Sequence, residues 1–352
     1  MAYAGDTLTI YGDALKTYER DELIRNIPDR VRFLKTLKGN GKKLTIGGKA
    51  LTVTWATKTG RGWGMNALGE GGDYAAEGTA SFDAYTASLA HYSYTGAVSG
   101  HLQAAGGKPD FSFAARAAME TREEVSRMAE KHLGISIMLD GTAVLGQISN
   151  VSSDTLTITG ANMGWFEKNM RLTVRDSASG GSEQLTSAQP ASGTITAVDK
   201  VGNTITVADA TGAAANDYVA WYGLYGQTVI QGIQSLNDSS GTVQGVNRAT
   251  AGNEHAQAWE QSGAGAALSE TMVLELNDTV WKHAPGEDDV YPDVFLTDTD
   301  SARWLAASMA GRHRFSDQTK MVGGYKCEEF ITGNGRRPIV NDPLCKPGDF
   351  HA

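Results

Sequence analysis

Cysteine and histidine are the residues of this chain best suited to bind a metal ion or to act in catalysis. The two cysteines, Cys327 and Cys345, lie 18 positions apart and form no CxxC pair, so the sequence predicts no zinc site. The seven histidines are dispersed, and none has a cysteine or carboxylate at the spacing of metal ligands. Each is expected to be a polar surface residue or a hydrogen-bonded core residue: His91, His101, His132, His255, His283, His313 and His351.

Two further stretches have residue types that bind ions or phosphate. The acidic run from Glu287 to Asp289 could attract a divalent cation, but it lacks the glycine and the final glutamate of an EF-hand loop. The glycine-rich stretch from Gly60 to Gly64 has no strand–loop–helix frame that would hold a phosphate. Hydrolase, metalloprotease and nucleotide-binding motifs are also absent from the sequence. The sequence thus predicts no catalytic residue, no metal ligand, no cofactor-binding residue and no cofactor, and it favours a protein that is not an enzyme.

Composition narrows the class of protein further. The 352 residues, 41% of them hydrophobic, are enough for two or three domains with buried cores. The 42 glycines and 8 prolines are typical of a fold with many strands and glycine-rich loops. A net charge of -9 argues against a broad basic surface for nucleic acid. The N-terminus has no apolar signal-peptide core, and no apolar run is long enough to span a membrane, so no membrane contact is expected. Reduced thiols are also expected, because a secreted chain of this length would usually carry more cysteines.

The first hundred residues are predicted to be mostly extended. Residues 1–40 mix charged and apolar side chains without a clear period, which indicates an arm. Residues 41–96 alternate apolar and polar side chains at Leu51 to Trp55 and return along Phe82 to Tyr94, a pattern typical of two strands. The glycine-rich tip from Gly60 to Gly78 cannot form a core, so it is expected to lie on another molecule. A mobile active-site lid is the alternative interpretation.

The middle of the chain is predicted to contain a long helix and then a small all-β module. The helix is expected to begin at a cap on Asp110, to end at Leu133 and to stop at Gly134. Short alternating segments separated by turn residues follow. They predict strands at Leu156–Ile158, Leu172–Val174, Thr194–Thr196, Thr204–Val207 and Tyr218–Trp221.

The last part of the chain is predicted to alternate helices and strands. Leu268, Met272, Leu276 and Val280 recur every four residues and indicate an amphipathic helix to about Lys282. A buried strand is expected at 294–297, followed by a helix that Asp300 caps and that stops at Gly311. Residues 330–340 are typical of a strand, a turn and a second strand.

Several short motifs resemble those of tailed-phage major capsid proteins of the Hong Kong 97-type fold. The central one begins with Gly232 to Leu236, which stands where that family has a "gly-leu/ile" strand, and continues through a Gln-Gly-hydrophobic-Asn-Arg turn to a tryptophan. The matching stretches are Val243-Gln244-Gly245-Val246-Asn247-Arg248, Trp259, Leu139-Asp140-Gly141-Thr142, Val294-Phe295-Leu296-Thr297-Asp298 and Arg337-Pro338-Ile339-Val340-Asn341-Asp342-Pro343. The order of the predicted elements is also similar to that family.

The resemblance implies an α+β Hong Kong 97-type capsid fold with an inserted small all-β domain. Its expected parts are an N-terminal arm at 1–40, an extended loop at 41–96, a spine helix and peripheral domain at 97–145, the inserted domain at 146–222, the return of the peripheral domain at 223–261, and an axial domain with the C-terminus at 262–352. Some relatives cross-link through a lysine of the extended loop. Lys58 lies near the tip of that loop, but no partner asparagine or glutamate matches, so non-covalent assembly is expected.

The function implied by the resemblance is that of a major capsid protein. Subunits would assemble into pentamers and hexamers of an icosahedral virion shell in the cytoplasm of the host bacterium. The expected partners are other copies of the chain, a portal, a scaffolding or decoration protein, and weakly contacted packaged double-stranded DNA. No built-in scaffold segment is recognised, which implies a separate scaffolding protein or none. The alternatives are an encapsulin-like nanocompartment shell, an enzyme with a glycine-rich lid, and a fibre protein whose β-module binds carbohydrate.

Overall fold

The computed structural model describes most of residues 113–351 and parts of residues 52–94. The described ranges are 52–60, 78–79, 81–88, 90, 92, 94, 113–186, 191–227, 229–251, 253, 256–260, 263, 266–283, 292, 294–309, 319–322, 325–332 and 335–351. The predicted arm at 1–40, the glycine-rich tip at 61–77 and the acidic run at 287–289 lie outside them. Within them the chain is mixed α and β, with a curled antiparallel sheet and few helices, which agrees with the expected α+β class. Among the described helices, none is both long enough and apolar enough to cross a membrane.

The first described element is a two-stranded ribbon. Strand β1 (Thr52–Gly60) pairs antiparallel with β2 (Ser81–Ser88), which confirms the predicted strand pair. Trp55 lies opposite Tyr85, and their rings stack with centroids 6.0 Å apart. None of the described side chains of the ribbon is buried, so the ribbon contributes nothing to a hydrophobic core within the described part of the subunit.

The long helix α1 (Phe113–Met138) lies where a helix is predicted but extends farther. The sequence indicates a stop at Gly134, yet the helix continues for another turn. A glycine inside a helix costs about 1 kcal/mol relative to alanine. Burial of Ile135 and Met138, each with at most 1% of its surface exposed, offsets that cost. The predicted cap, Asp110, lies outside the described residues.

A six-stranded antiparallel sheet follows α1 and contains every strand predicted for the middle of the chain. The strand order is β5-β8-β3-β4-β7-β6. At the two ends of that order, the Leu172 amide donates to the Gly193 carbonyl and the Ile195 amide donates to the Met170 carbonyl, each at 2.9 Å. The sheet therefore curls until its first and last strands meet. The strands are β3 (Val144–Ser152), β4 (Thr155–Thr159), β5 (Leu172–Arg175), β6 (Ile195–Asp199), β7 (Thr204–Val207) and β8 (Tyr218–Trp221).

The curled sheet and α1 share one hydrophobic core. Ile135 and Leu139, at and just after the end of α1, pack with the side chains inside the sheet, among them Trp165 and Phe166. Strand β3 also runs across positions 145 and 146, where the expected inserted domain begins. The sheet is therefore packed onto the helix and not joined to it by a loose linker.

Backbone carbonyls near the C-terminus hold one loop of this sheet in place. The amide group of Asn162, which caps the 3-10 turn Met163–Trp165, donates to the carbonyls of Pro343 and Cys345 at 2.8 and 2.9 Å. The indole of Trp165 donates to the Leu344 carbonyl at 2.9 Å. Three consecutive carbonyls of the C-terminal segment are thus bound by side chains that lie about 180 residues earlier in the chain.

The C-terminal region forms a five-stranded sheet with two helices. Its strand order is β12-β13-β14-β11-β15, in which β11 and β14 are parallel and the other pairs are antiparallel. Val273 and Leu305, one from each helix, pack against Phe295, Phe330 and Ile339 of the sheet. The one-turn helix α2 (Ile233–Leu236) and the hairpin strands β9 (Thr242–Val243) and β10 (Val246–Asn247) precede this region. Its elements are α3 (Glu270–His283), β11 (Phe295–Thr297), α4 (Thr299–Met309), β12 (Thr319–Val322), β13 (Tyr325–Thr332), β14 (Gly335–Asn341) and β15 (Phe350–His351). The predicted helices and the strand–turn–strand unit are confirmed.

The cap of α4 differs from the prediction. Asp298, and not Asp300, accepts hydrogen bonds from the first amides of the helix, at 2.9 Å from Asp300 and 3.3 Å from Ser301. Asp298 is buried and also accepts a bond from the Gly348 amide at 3.2 Å, whereas Asp300 forms an exposed ion pair with Arg303. The capping residue is therefore Asp298, which directly follows β11 and lies two residues before the predicted cap Asp300.

Replacement of Asn162 by alanine is expected to loosen the C-terminal segment. Two carbonyls would lose their donors and the Gly164 amide would lose its acceptor, which is expected to cost about 1–3 kcal/mol of unfolding free energy. Hydrogen exchange at Leu344 and Cys345 should accelerate more than exchange in β13. Asn150→Ala, at an exposed position of β3, is the matched control; equal exchange in the two variants would contradict the predicted role of Asn162.

Candidate functional site

Few of the histidines and cysteines considered in the sequence are placed in the structure. Only His132 and His351 have described side chains among the seven histidines, and Cys345 is the cysteine whose side chain is described. Burial raises the pKa of the Cys345 thiol well above its usual range, with a further increase from Asp349, so the thiolate is disfavoured. Among the described residues, no three histidine, cysteine or carboxylate side chains converge as a metal site.

Arg248 is the most extensively bonded buried side chain of the capsid-like motif. It directly follows Val246–Asn247, the second strand of a hairpin, and only 2% of its surface is exposed. Its guanidinium donates to four backbone carbonyls: Ala256 at 2.8 Å, Ser235 at 2.8 Å, Leu236 at 2.7 Å and Ser240 at 3.1 Å. Guanidinium stays charged in proteins, and its planar donors suit several acceptors in one plane. Arg248 therefore binds three chain segments at one point: the end of the helical turn at Ser235 and Leu236, the loop at Ser240, and the chain at Ala256.

Residues 233–236, which precede Arg248, form a helical turn where a strand was expected. The resemblance predicts a strand at Gly232 to Leu236, but residues 233–236 form α2. A helical turn leaves its last carbonyls without partners inside the helix, and the carbonyls of Ser235 and Leu236 are the ones that bind Arg248. The helical form is therefore stabilised by a side chain that lies twelve positions later in the chain than Leu236.

Gly232 lets α2 approach the end of α1. A Cβ atom at this position would lie 2.2 Å from the Leu139 carbonyl oxygen and 2.4 Å from that of Ile137. Both distances are far shorter than any van der Waals contact, so no side chain fits there. The glycine in the motif thus has a packing role that its place in the sequence does not reveal.

The hairpin next to Arg248 contacts the ribbon. Strands β9 (Thr242–Val243) and β10 (Val246–Asn247) are joined by Gln244 and Gly245, which have φ angles of 48° and 88°. Two consecutive positive φ values are typical of a type I′ turn. The Thr86 amide of β2 donates to the Gln244 carbonyl at 2.7 Å, so the tip of this hairpin is one attachment point of the ribbon.

His132, on α1, lies in an aromatic cluster. The rings of Tyr92, Tyr94 and Trp221 surround it edge-on, with centroids 4.8, 5.5 and 4.8 Å away. The Tyr94 hydroxyl is hydrogen-bonded to His132 Nδ1, and Ser136 Oγ lies 3.4 Å from Nε2. Burial lowers the pKa of His132 to about 4, so the ring is neutral at pH 7. The cluster connects α1, the extended segment after β2, and β8.

Sequence reasoning treated His132 as one of seven dispersed histidines and missed this cluster. A weak signal exists, because Tyr92 and Tyr94 are two positions apart and therefore lie on one face of an extended segment. The contribution of Trp221, 89 positions after His132, has no signal in the sequence.

An open cleft lies between the Arg248 region and the C-terminal region. Its volume is about 690 Å³, and it is lined by residues 258–260, α3, α4 and the last residues of the chain. Trp259 and Trp304 line it with 50% and 41% of their surfaces exposed. Glu260 is held at its edge by the amide and hydroxyl of Ser239, at 2.9 and 3.0 Å.

No family model, curated protein or solved structure matches this chain. The geometry of the described residues must therefore indicate what the chain can do. It provides backbone junctions held by side-chain hydrogen bonds, a ribbon with no buried side chain among those described, and an open cleft with aromatic and acidic walls.

Replacement of Arg248 by lysine is expected to lower the unfolding free energy by about 2–5 kcal/mol, because one ammonium group cannot reach four carbonyls arranged around a planar fork. Urea denaturation followed by circular dichroism measures this loss. Arg303→Lys is the control, since its exposed ion pair with Asp300 contributes little. The proposed role of Arg248 fails if the two variants are equally stable.

The stability of the chain should fall below pH 7 partly because of His132. Its folded-state pKa of about 4 lies below the ordinary 6.5, so the unfolded chain takes up a proton first as the pH decreases. This contribution is present above pH 6.5 and should decrease by about 2 kcal/mol between pH 7 and pH 5.

The variant His132→Phe tests this prediction, because it retains an aromatic ring but has no imidazole that can take up a proton. Urea denaturation at the two pH values should show a smaller loss for the variant than for the wild type. Since His351 is buried with its pKa also lowered to about 4, only the difference between the two proteins reports on His132.

Proposed function

We propose that this chain is the major capsid protein of a tailed phage, assembling into pentamers and hexamers of an icosahedral shell around DNA. The observation that carries this proposal is the ribbon of β1 and β2, none of whose described side chains is buried. A two-stranded hairpin is marginally stable alone in water. Its strands pair over eight register positions here, and Phe82 is 63% exposed. Such a ribbon gains stability if it lies on a neighbouring subunit.

The order of the elements supports the same proposal. A paired ribbon precedes a helix of 26 residues, and the Arg248 hairpin and a sheet with two helices follow the curled sheet. That order is the one implied by the capsid-like motifs. The Thr86–Gln244 bond also connects the ribbon to the motif that carries the resemblance.

The proposed parts of the subunit follow the expected boundaries. Residues 1–40 would be the arm, 41–96 the extended loop, 97–145 and 223–261 the peripheral domain with its spine helix, 146–222 the inserted domain, and 262–352 the axial domain with the C-terminus. The net charge of -9 is compatible with a shell that encloses DNA without binding it tightly. A portal and a scaffolding or decoration protein would be the other partners, and the virion the location.

Negative-stain electron microscopy of the purified chain, alone and with the products of neighbouring genes, tests the proposal. Closed polyhedral shells or rings of five and six subunits are expected. Shells that contain protein cargo in place of DNA when isolated from the host would favour the encapsulin-like alternative. A chain that stays monomeric with every candidate scaffold would overturn the proposal.

An acidic side chain on the ribbon should prevent assembly without unfolding the subunit. Phe82→Asp places a charge on a surface that is proposed to be buried between subunits, and desolvating that charge opposes association. Val201→Asp is the matched control, because Val201 is 94% exposed in the turn between β6 and β7. Sedimentation velocity should show shells for Val201→Asp and free subunits for Phe82→Asp, with equal melting temperatures. Normal shells from Phe82→Asp would contradict the role of the ribbon.

A further inference from the structure

The cleft beside Arg248 has a chemistry that favours one type of ligand. Met272, Leu276 and Val280, spaced four residues apart on α3, form an apolar wall with the half-exposed Trp259 and Trp304. Exposed tryptophan is unusual on a surface that stays in water, and its ring faces attract cations as well as apolar groups. The cleft therefore suits a segment that combines apolar and positively charged side chains.

The charges of the cleft point to the same ligand. Its described lining contains the carboxylates Glu260 and Asp349 and no lysine or arginine. The Glu260 carboxylate is fixed by Ser239, so it is already oriented. His351 also lines the cleft and is buried in a neutral form at pH 7, because burial lowers its pKa to about 4. The described lining therefore has no cation beside these acidic groups at that pH, although Lys346, outside the lining, acts on Asp349.

One segment of the chain has the complementary composition. Residues 30–43, which lie outside the described residues, contain six of the 31 lysines and arginines and no acidic residue. The remaining 25 lysines and arginines are outnumbered by 40 aspartates and glutamates, a net charge of -15 for the rest of the chain. Val31, Phe33, Leu34 and Leu37 alternate with the basic residues. This is the strongest local concentration of positive charge in an otherwise acidic protein.

We propose that the cleft binds residues 30–43 of a neighbouring copy of this chain. The proposal rests on the proposed function, in which many copies assemble. A basic segment of one copy bound in the acidic aromatic cleft of another is a heterologous contact, and such contacts generate closed rings when the rotation between subunits closes. Lysine or arginine would lie on Trp259 or Trp304 and near Glu260, while Phe33, Leu34 or Leu37 contacts the apolar wall of α3.

Binding of a fluorescein-labelled peptide of residues 30–43 tests the proposal directly. The receptor is the full-length chain whose own segment is neutralised by Arg30→Gln, Arg32→Gln, Lys35→Gln, Lys38→Gln, Lys42→Gln and Lys43→Gln. Fluorescence anisotropy should show saturable binding with one peptide per chain. Binding should weaken by about tenfold or more with Trp304→Ala or Glu260→Gln in the receptor, and Met128→Ala, an exposed apolar position on α1, should leave it unchanged.

A second peptide separates specific docking from simple charge attraction. This second peptide carries Phe33→Ser, Leu34→Ser and Leu37→Ser and retains all six basic residues. Its affinity for the receptor should be lower than that of the first peptide by about tenfold or more. Equal binding of the two peptides, or insensitivity to the cleft variants, would overturn the proposal. A peptide that binds duplex DNA and not the receptor would also overturn it and would make the segment a nucleic-acid contact.

The outcomes distinguish this proposal from the proposed function. Shells seen by electron microscopy for the wild type, together with no peptide binding, would remove the cleft as the docking site and leave the capsid function standing. Saturable, cleft-dependent binding without shells under any condition would support the contact and contradict the capsid function.

Discussion

The buried guanidinium of Arg248 is the constraint on which the centre of the structure depends. Arginine cannot lose its charge at any pH at which the protein folds, so a buried position requires polar partners on every side. Four carbonyls from three segments provide them. Because each segment must stay in place for the charge to be satisfied, Arg248 determines the helical form of α2, the position of the hairpin and the path of the chain near residue 256. The hairpin in turn presents the Gln244 carbonyl to the ribbon.

Contacts connect the Arg248 region to the curled sheet, and the curled sheet to the C-terminal segment. Gly232 brings α2 against the last turn of α1, whose Ile135 lies in the core of the curled sheet. The same sheet binds the C-terminal segment through Asn162 and Trp165, and that segment leads into β15 beside β11. Regions far apart in the chain therefore share cores and backbone bonds. Within the described residues, these shared cores and bonds join the curled sheet, the Arg248 region and the C-terminal sheet without a break.

The surfaces that remain unsatisfied within the described subunit are those that an assembly would cover. The ribbon buries none of its described side chains, and the cleft leaves two tryptophans half exposed beside acidic groups. Exposed apolar surface in both features costs free energy in an isolated chain, because it stays in contact with water. Interactions between copies would recover that free energy.

The sequence by itself determined the elements whose signal is local. Alternation of apolar and polar residues located the ribbon and five of the six strands of the curled sheet, all except β3. The turn residues within 330–340 located the last strand pair, and the four-residue spacing at Leu268, Met272, Leu276 and Val280 located α3. Only the tertiary structure decided the features that depend on partners far along the chain. Burial of Ile135 and Met138 extends α1 past Gly134, Arg248 makes α2 helical where a strand was expected, and Asp298 replaces Asp300 as the cap of α4. The aromatic cluster of His132 and the cleft also depend on residues that lie far apart in the chain. Local patterns report which face of an element is apolar, but which residues meet depends on contacts across tens to hundreds of positions, and those contacts form only when the whole chain packs.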